Sequence, residues 1–154
     1  RAVVLENTTL PAEDRKELVE FQKKFGELGR TMRATQRSAE EMFVRTQYIQ
    51  QTLLQTPGSS KEMMQQAKDL AQRLNDIQFR FDGREAPASW EELPPGPMPL
   101  NNRLSTVVRT HIQSTSGVTQ PQKDNYDILM DEFPPLLEDL KKINTELNSL
   151  EEKI

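Results

Sequence analysis

The sequence predicts an all-α protein, an elongated antiparallel up-down helical bundle with two long helices and two shorter ones between them. Three observations carry that prediction. Apolar residues recur at alternating spacings of three and four along most of the chain, which is the mark of helices that bury one stripe. Turn chemistry interrupts these runs at only a few places: Thr56-Pro57-Gly58, Asp82-Gly83 and Ser114-Thr115-Ser116-Gly117. The composition, 34% hydrophobic and 29% charged, suits helices with a narrow apolar stripe and a wide solvated face. Strict periodicity of the apolar residues argues against intrinsic disorder.

Residues 1–10 (RAVVLENTTL) read as an extended lead-in strand or linker, with Val3, Val4 and Leu5 able to pack. Asn7-Thr8-Thr9 fits the glycosylation sequon, a short pattern that also arises by chance. The helical bundle domain spans 11–154. From Pro11 a heptad seam runs through Leu18, Phe21, Phe25, Leu28, Met32, Thr35, Ala39, Met42, Thr46, Ile49 and Leu53. It predicts one helix of about 44 residues, about 65 Å long. Gly26 and Gly29 either bend this helix or let a neighbour approach closely.

Ser59-Ser60-Lys61-Glu62 has the capping-box pattern and opens a second helix, with its seam at Met63, Ala67, Leu70, Leu74, Ile77 and Phe81. The short connection makes helices one and two antiparallel neighbours. Residues 84–99 form an irregular loop with five of the ten prolines and the only tryptophan, Trp90, beside Glu91 and Glu92. Two carboxylates beside an aromatic are the ingredients of a sugar site, but adjacent glutamates rarely face each other across a substrate. The plainer expectation is that Trp90 and Leu93 anchor the loop on the bundle.

A third helix is expected over 100–113, with Leu104, Val107, Val108 and Ile112 inward. Its His111 is the only histidine and has no cysteine or second histidine with which to share a metal. Thr119-Gln120-Pro121-Gln122 starts the last helix, with its seam at Tyr126, Leu129, Phe133, Leu136, Leu140, Ile143, Leu147, Leu150 and Ile154. Pro134 and Pro135 interrupt it and push Phe133 away from helical dihedrals. The apolar phase is unchanged across them, which predicts a kinked helix or two segments abutting on one axis. Helix one is long enough for helices two and three to line it end to end, which favours a three-helix rod over a squat four-helix bundle. Arg1 in place of an initiating Met, and a seam that reaches the last residue, point to a piece of a longer chain.

Composition also narrows function. A net charge of −4, with Lys and Arg spread along the helices, gives no basic face for nucleic acid. No apolar run approaches the roughly 20 residues that span a bilayer, and there is no signal-peptide pattern. With no cysteine there is no disulfide framework. Glycine-rich phosphate loops, HExxH, DxDxDG and Cys/His clusters are absent. A run such as Glu138, Asp139, Lys141 and Lys142 reads as a solvated face. The sequence nominates no catalytic, cofactor-binding or metal-binding residue.

Three stretches carry a family resemblance. RAVVLENTTLPAEDRKELVEFQKKFGELGRTMRATQRSAEEM resembles the strand and first helix that follow the β-rich region of bacterial BNR-repeat propeller proteins. These are the sortilin-like proteins that carry the name glycosyl hydrolase. QSTSGVTQPQKDNYDILMDEF resembles their Ser/Thr turn, Thr-x-x-Gln cap and the start of the last helix, and FPPLLEDLKKINTELNSLEEKI resembles their final helix. The doubled proline at 134–135, where one is expected, is a departure. The resemblance implies a C-terminal helical accessory domain, with 1–10 leading in from a preceding β domain and the chemistry located on the propeller. Implied partners are that propeller and other domains of the parent chain, and the implied location is exported: periplasmic, cell envelope or extracellular.

A non-catalytic structural or interaction module of a larger exported protein is therefore the leading functional expectation. A self-associating or partner-binding coiled-coil scaffold is the alternative, with Met32, Met42, Met63 and Met64 available as an adaptable groove or, by default, as core filling. Peripheral lipid binding ranks below both, because the acidic balance and the lack of an aromatic-plus-lysine face oppose it.

Overall fold

The computed structural model describes residues 12–83, 98–113 and 117–154. Among them are four helices: α1 (Ala12–Gln55), α2 (Lys61–Asp82), α3 (Leu100–Gln113) and α4 (Gln120–Glu152). The lead-in segment with Asn7, and the loop with Trp90, Glu91, Glu92 and Leu93, lie outside the described residues, as do the side chains of His111 and Ile112.

Cross-helix contacts fix the topology. α1 and α4 run parallel for the whole length of the molecule. Glu17 pairs with Lys123 at 2.6 Å, Phe21 and Phe25 meet Tyr126, and Arg45 reaches Asn144, Asn148 and Glu151. α2 runs the opposite way, with Arg80 against Asp139 and Arg73 against Glu146. α3 then keeps the direction of α2. Its Asn101 touches Gln36 and Asp82 at the foot of α2, a methyl on Gly29 would stand 3.9 Å from Leu104, and Arg103 donates to Asn125 near the start of α4. The molecule is thus a three-helix rod whose middle layer is made of α2 and α3 end to end. The long seams at both ends of the sequence have the length for this arrangement, and the two short helices together match it.

The core is one continuous seam. Leu28, Met32, Ala39, Ile49 and Leu53 of α1 are buried with Ala67, Leu70, Leu74, Ile77 and Phe81 of α2. Leu100 and Leu104 of α3 join Leu129, Phe133, Leu136, Leu140, Ile143, Leu147 and Leu150 of α4 in the same cluster. Each Leu, Ile, Met or Phe side chain among them contributes about 1.5–3 kcal/mol on burial. The five ion pairs among the described residues are all partly exposed, and pairs of that kind contribute about 0–1 kcal/mol each. The apolar stripe, not the charges, holds the rod. Of the four methionines set apart as a possible groove, Met32 is fully buried, and Met42, Met63 and Met64 pack against the core.

The helix ends follow local chemistry. Ser60, not Ser59, caps α2: its hydroxyl accepts from the Glu62 amide at 3.1 Å. The Ser59 hydroxyl instead donates to the Leu53 carbonyl at 2.7 Å, satisfying an orphan acceptor at the end of α1. Gly83 closes α2 at φ 78°, with its amide on the Phe79 carbonyl at 2.7 Å. α4 opens with a full capping box between Thr119 and Gln122, and Gln122 is buried there.

α4 continues as one helix through Pro134 and Pro135, so of the two expected arrangements it is not the pair of abutting segments. Four expectations are corrected. Phe133 stays helical and buried, packed on Phe81 with ring centroids 6.4 Å apart. The two prolines are exposed, and the amides they lack would have served the carbonyls of Met130 and Asp131. Those two residues are also exposed, so water can take the freed acceptors. Val108 is 43% exposed, because consecutive residues on a helix do not share a face and Val107 already holds the inward position. Ile154 lies beyond the helix and is 52% exposed, so the covered seam ends at Leu150. Finally, the Ser59-to-Glu62 capping box gives way to the Ser60 cap described above.

Candidate functional site

Among the described residues, two polar clusters and three surface depressions are candidate places for function. The first cluster sits at the junction of α2 and α3. Gln36 Nε2 donates to Gln78 Oε1 at 3.0 Å and to Asp82 Oδ2 at 2.7 Å, while Asn101 Nδ2 donates to Gln36 Oε1 at 2.9 Å and to Asp82 Oδ1 at 2.7 Å. Three helices are clamped by four side chains, with both carboxylate oxygens of Asp82 occupied. A methyl placed on Gly83 would lie 2.9 Å from the ring of Pro99, so the end of α2 and the start of α3 stand side by side. The arrangement holds the interruption of the middle layer in register, and its hydrogen-bonding capacity is turned inward.

The second cluster gathers around Arg45, whose guanidinium donates to Asn144, Asn148 and Glu151. An arginine fork matched to a carboxylate is directional, and here it fixes the register of α1 against the end of α4.

Of the depressions, the largest is an open trough of about 440 Å³ between α1 and α4, whose charged lining residues are Arg30 and Lys141. A second, of about 300 Å³, lies against Phe79, Met98, Pro99 and Leu100, with Arg80 and Glu132 at its edge. The third, near Tyr48 and Ile154, is bordered by the Arg45–Glu151 pair. None of the three holds two carboxylates, the pairing that general acid–base work on a glycoside requires. Among the described residues no group of three or more His, Cys, Asp or Glu side chains is placed to hold a metal ion, and no helix is long and apolar enough to cross a membrane.

Among the described residues one group has a displaced pKa. Burial raises the Tyr126 phenol above its ordinary value near 10, and the nearby carboxylates of Asp127 and Glu27 push the same way. The phenol sits among Phe21 and Phe25 at the end of the rod where α1 and α4 begin, away from all three depressions, so its burial reads as packing.

The charge run Glu138, Asp139, Lys141 and Lys142 is surface. Lys141 pairs with Glu138 at 3.5 Å within the helix, and Asp139 pairs across to Arg80 at 3.3 Å. Sequence reasoning missed both polar clusters. Their members flank the seams at positions where Gln, Asn and Arg are ordinary, and only the register between helices brings them together. No protein-family model matches the chain, and neither a curated protein nor a solved structure is significantly similar to it.

Proposed function

We propose that this chain is a non-catalytic structural and interaction module of a larger exported protein, of the BNR-repeat, sortilin-like propeller type that three of its stretches resemble. The observation that carries the reading is the use to which the residues are put. Both long helices contribute to one continuous core, α1 from Leu28 to Leu53 and α4 from Leu129 to Leu150, and four of the five ion pairs brace helices against each other at the surface. A rod of this kind offers long faces to neighbours, and the three depressions among the described residues are open at the surface rather than enclosed clefts of the sort that small-molecule sites need. Its partners are the propeller and other β domains of the parent chain, and its place is the cell envelope or beyond.

The test is an assay of the chain on aryl glycosides and natural oligosaccharides. The reading predicts no turnover above buffer; hydrolysis that tracks the folded protein would overturn it. Recording whether a β-propeller precedes these residues in their gene tests the parentage separately, and a gene without one removes that part of the reading.

A further inference from the structure

The trough between α1 and α4 joins an apolar floor to charge of one sign. On α1 its wall consists of short side chains, Thr31, Ala34 and Ser38, beside which Met42 and Leu137 are only partly buried. Met130, one heptad before Leu137 on α4, is 44% exposed, so the apolar line continues along one helix face. The charged lining residues are Arg30 on α1 and Lys141 on α4, and no acid lines the trough. Arg30 opens a cationic stretch, since residues 28–39 hold Arg30, Arg33 and Arg37 and no acid. All three are exposed, and none belongs to an ion pair among the described residues. Glu27, Glu40 and Glu41 bound that stretch outside the trough lining. Lys141 pairs with Glu138 at 3.5 Å with both side chains 65% exposed, a contact that gives way easily to a better-placed anion.

We infer that the trough is a docking groove for an acidic amphipathic helix of a partner protein. That helix lays its apolar stripe on Met42 and Leu137 and sets carboxylates on Arg30 and Lys141. Charge names the sign of the partner: cations border the groove from both helices, so anionic groups opposite are complementary. The floor names its amphipathic character, because a polyanion without apolar side chains would leave Met42 and Leu137 as wet as before. Shape names the helix. The trough runs along α1 from Arg30 to Met42, about 18 Å or some three turns, and its two borders are parallel helices. A third helix laid along them packs its stripe into the groove at the shallow angle of a bundle. A second copy docked by the same trough would set Arg30 and Lys141 against their own kind, which opposes self-association there. The inference rests on the reading of the chain as an interaction module and names the surface and the partner chemistry.

Titration of the isotopically labelled chain, followed by its amide NMR shifts, tests this. The probe is a stapled helical peptide of about 14 residues, long enough to span the trough, with leucine along one stripe and glutamate beside it. Its lysine counterpart and a polyglutamate of equal length are the controls. The glutamate peptide should give saturable shifts at Thr31, Ala34, Ser38 and Leu137, and neither control should. Binding should weaken between about 10 mM and about 1 M salt, where the screening length falls from about 30 Å to about 3 Å. Arg30→Glu with Lys141→Glu should raise the dissociation constant of the glutamate peptide about tenfold or more. The same variant should bind the lysine peptide, a gain that loss of folding does not produce. Both side chains are exposed, so circular dichroism should show the variant folded. Absence of saturation at millimolar peptide overturns the inference, as do shifts on another face, equal binding of polyglutamate, or indifference to the charge reversal. Dilution-dependent shifts of the same residues in the chain alone also overturn it, by making a second copy the occupant. Each of those results leaves the module reading standing, since that reading falls only on catalytic turnover.

Discussion

Three glycines of this rod respond to the same substitution with different signs. Gly29 lies in the interior of α1, where a methyl would meet Arg33 Nη1 at 3.5 Å and Leu104 Cδ1 at 3.9 Å, both ordinary contacts. Gly29→Ala therefore gains the helix-propensity difference of about 1 kcal/mol. Gly83 has φ 78° and ψ −174°, a region that costs a side-chain-bearing residue about 1–3 kcal/mol. Its methyl would also stand 2.9 Å from Pro99 Cγ, part of a ring that cannot rotate away. Gly83→Ala should cost about 2–4 kcal/mol, the strain plus a modest displacement of Pro99. Gly58, at φ 79° with open space around it, isolates the conformational part, and Gly58→Ala should cost about 1–2 kcal/mol. Urea unfolding followed at 222 nm reads all three. In thermal terms each kcal/mol moves the midpoint by about 2–4 °C at this chain length. If Gly29→Ala destabilises, or Gly83→Ala is neutral, the placement of α3 against α1 and α2 is wrong.

Replacing Pro134 and Pro135 together by alanine returns two amide donors to α4. Because a helix-interior proline costs about 3 kcal/mol and these two are exposed, calorimetry should show a higher melting temperature; a lower one would mean the prolines hold a needed shape. Asp82→Ala removes the acceptor for Gln36 and Asn101 and should cost about 1 kcal/mol. Amide exchange should quicken in α3 before the centre of α1, and uniform quickening would count against the junction as a local clamp. Tyr126, its pKa raised by burial, holds its proton more tightly folded than unfolded. The associated stability is complete below pH 10 and is lost as pH rises from there through the raised value. Tyr126→Phe should flatten the alkaline end of a stability-versus-pH curve, and unchanged curvature would contradict the shift.

The fold was legible because the core is set by period and length. The α1, α2 and α4 seams are written in three- and four-residue spacings that survive two glycines and two prolines, and burial follows them from Leu28 to Leu150. The direction of α3 was legible by length alone, since α1 is 44 residues long and α2 only 22. Details that depend on competition between neighbours were not. Val107 and Val108 are equal in the sequence, and only the position of the adjoining helices decides which turns inward. Ser59 and Ser60 both qualify as caps, and the choice falls to Ser60 because Ser59 is drawn back to Leu53. The Gln36–Gln78–Asp82–Asn101 cluster spans residues up to 65 apart, a distance over which no local pattern reports.

A single distance tests the rod itself. Nitroxide labels at Lys61, the first residue of α2, and at Val108 of α3, both exposed, bracket the interrupted middle layer. At about 1.5 Å per residue, α2 rises about 33 Å and the first eight residues of α3 add about 12 Å in the same direction. Double electron–electron resonance should therefore give a single distribution near about 45 Å. A distribution centred near about 20 Å would mean that α3 folds back along α2, and the three-layer rod would have to be abandoned for a four-helix bundle.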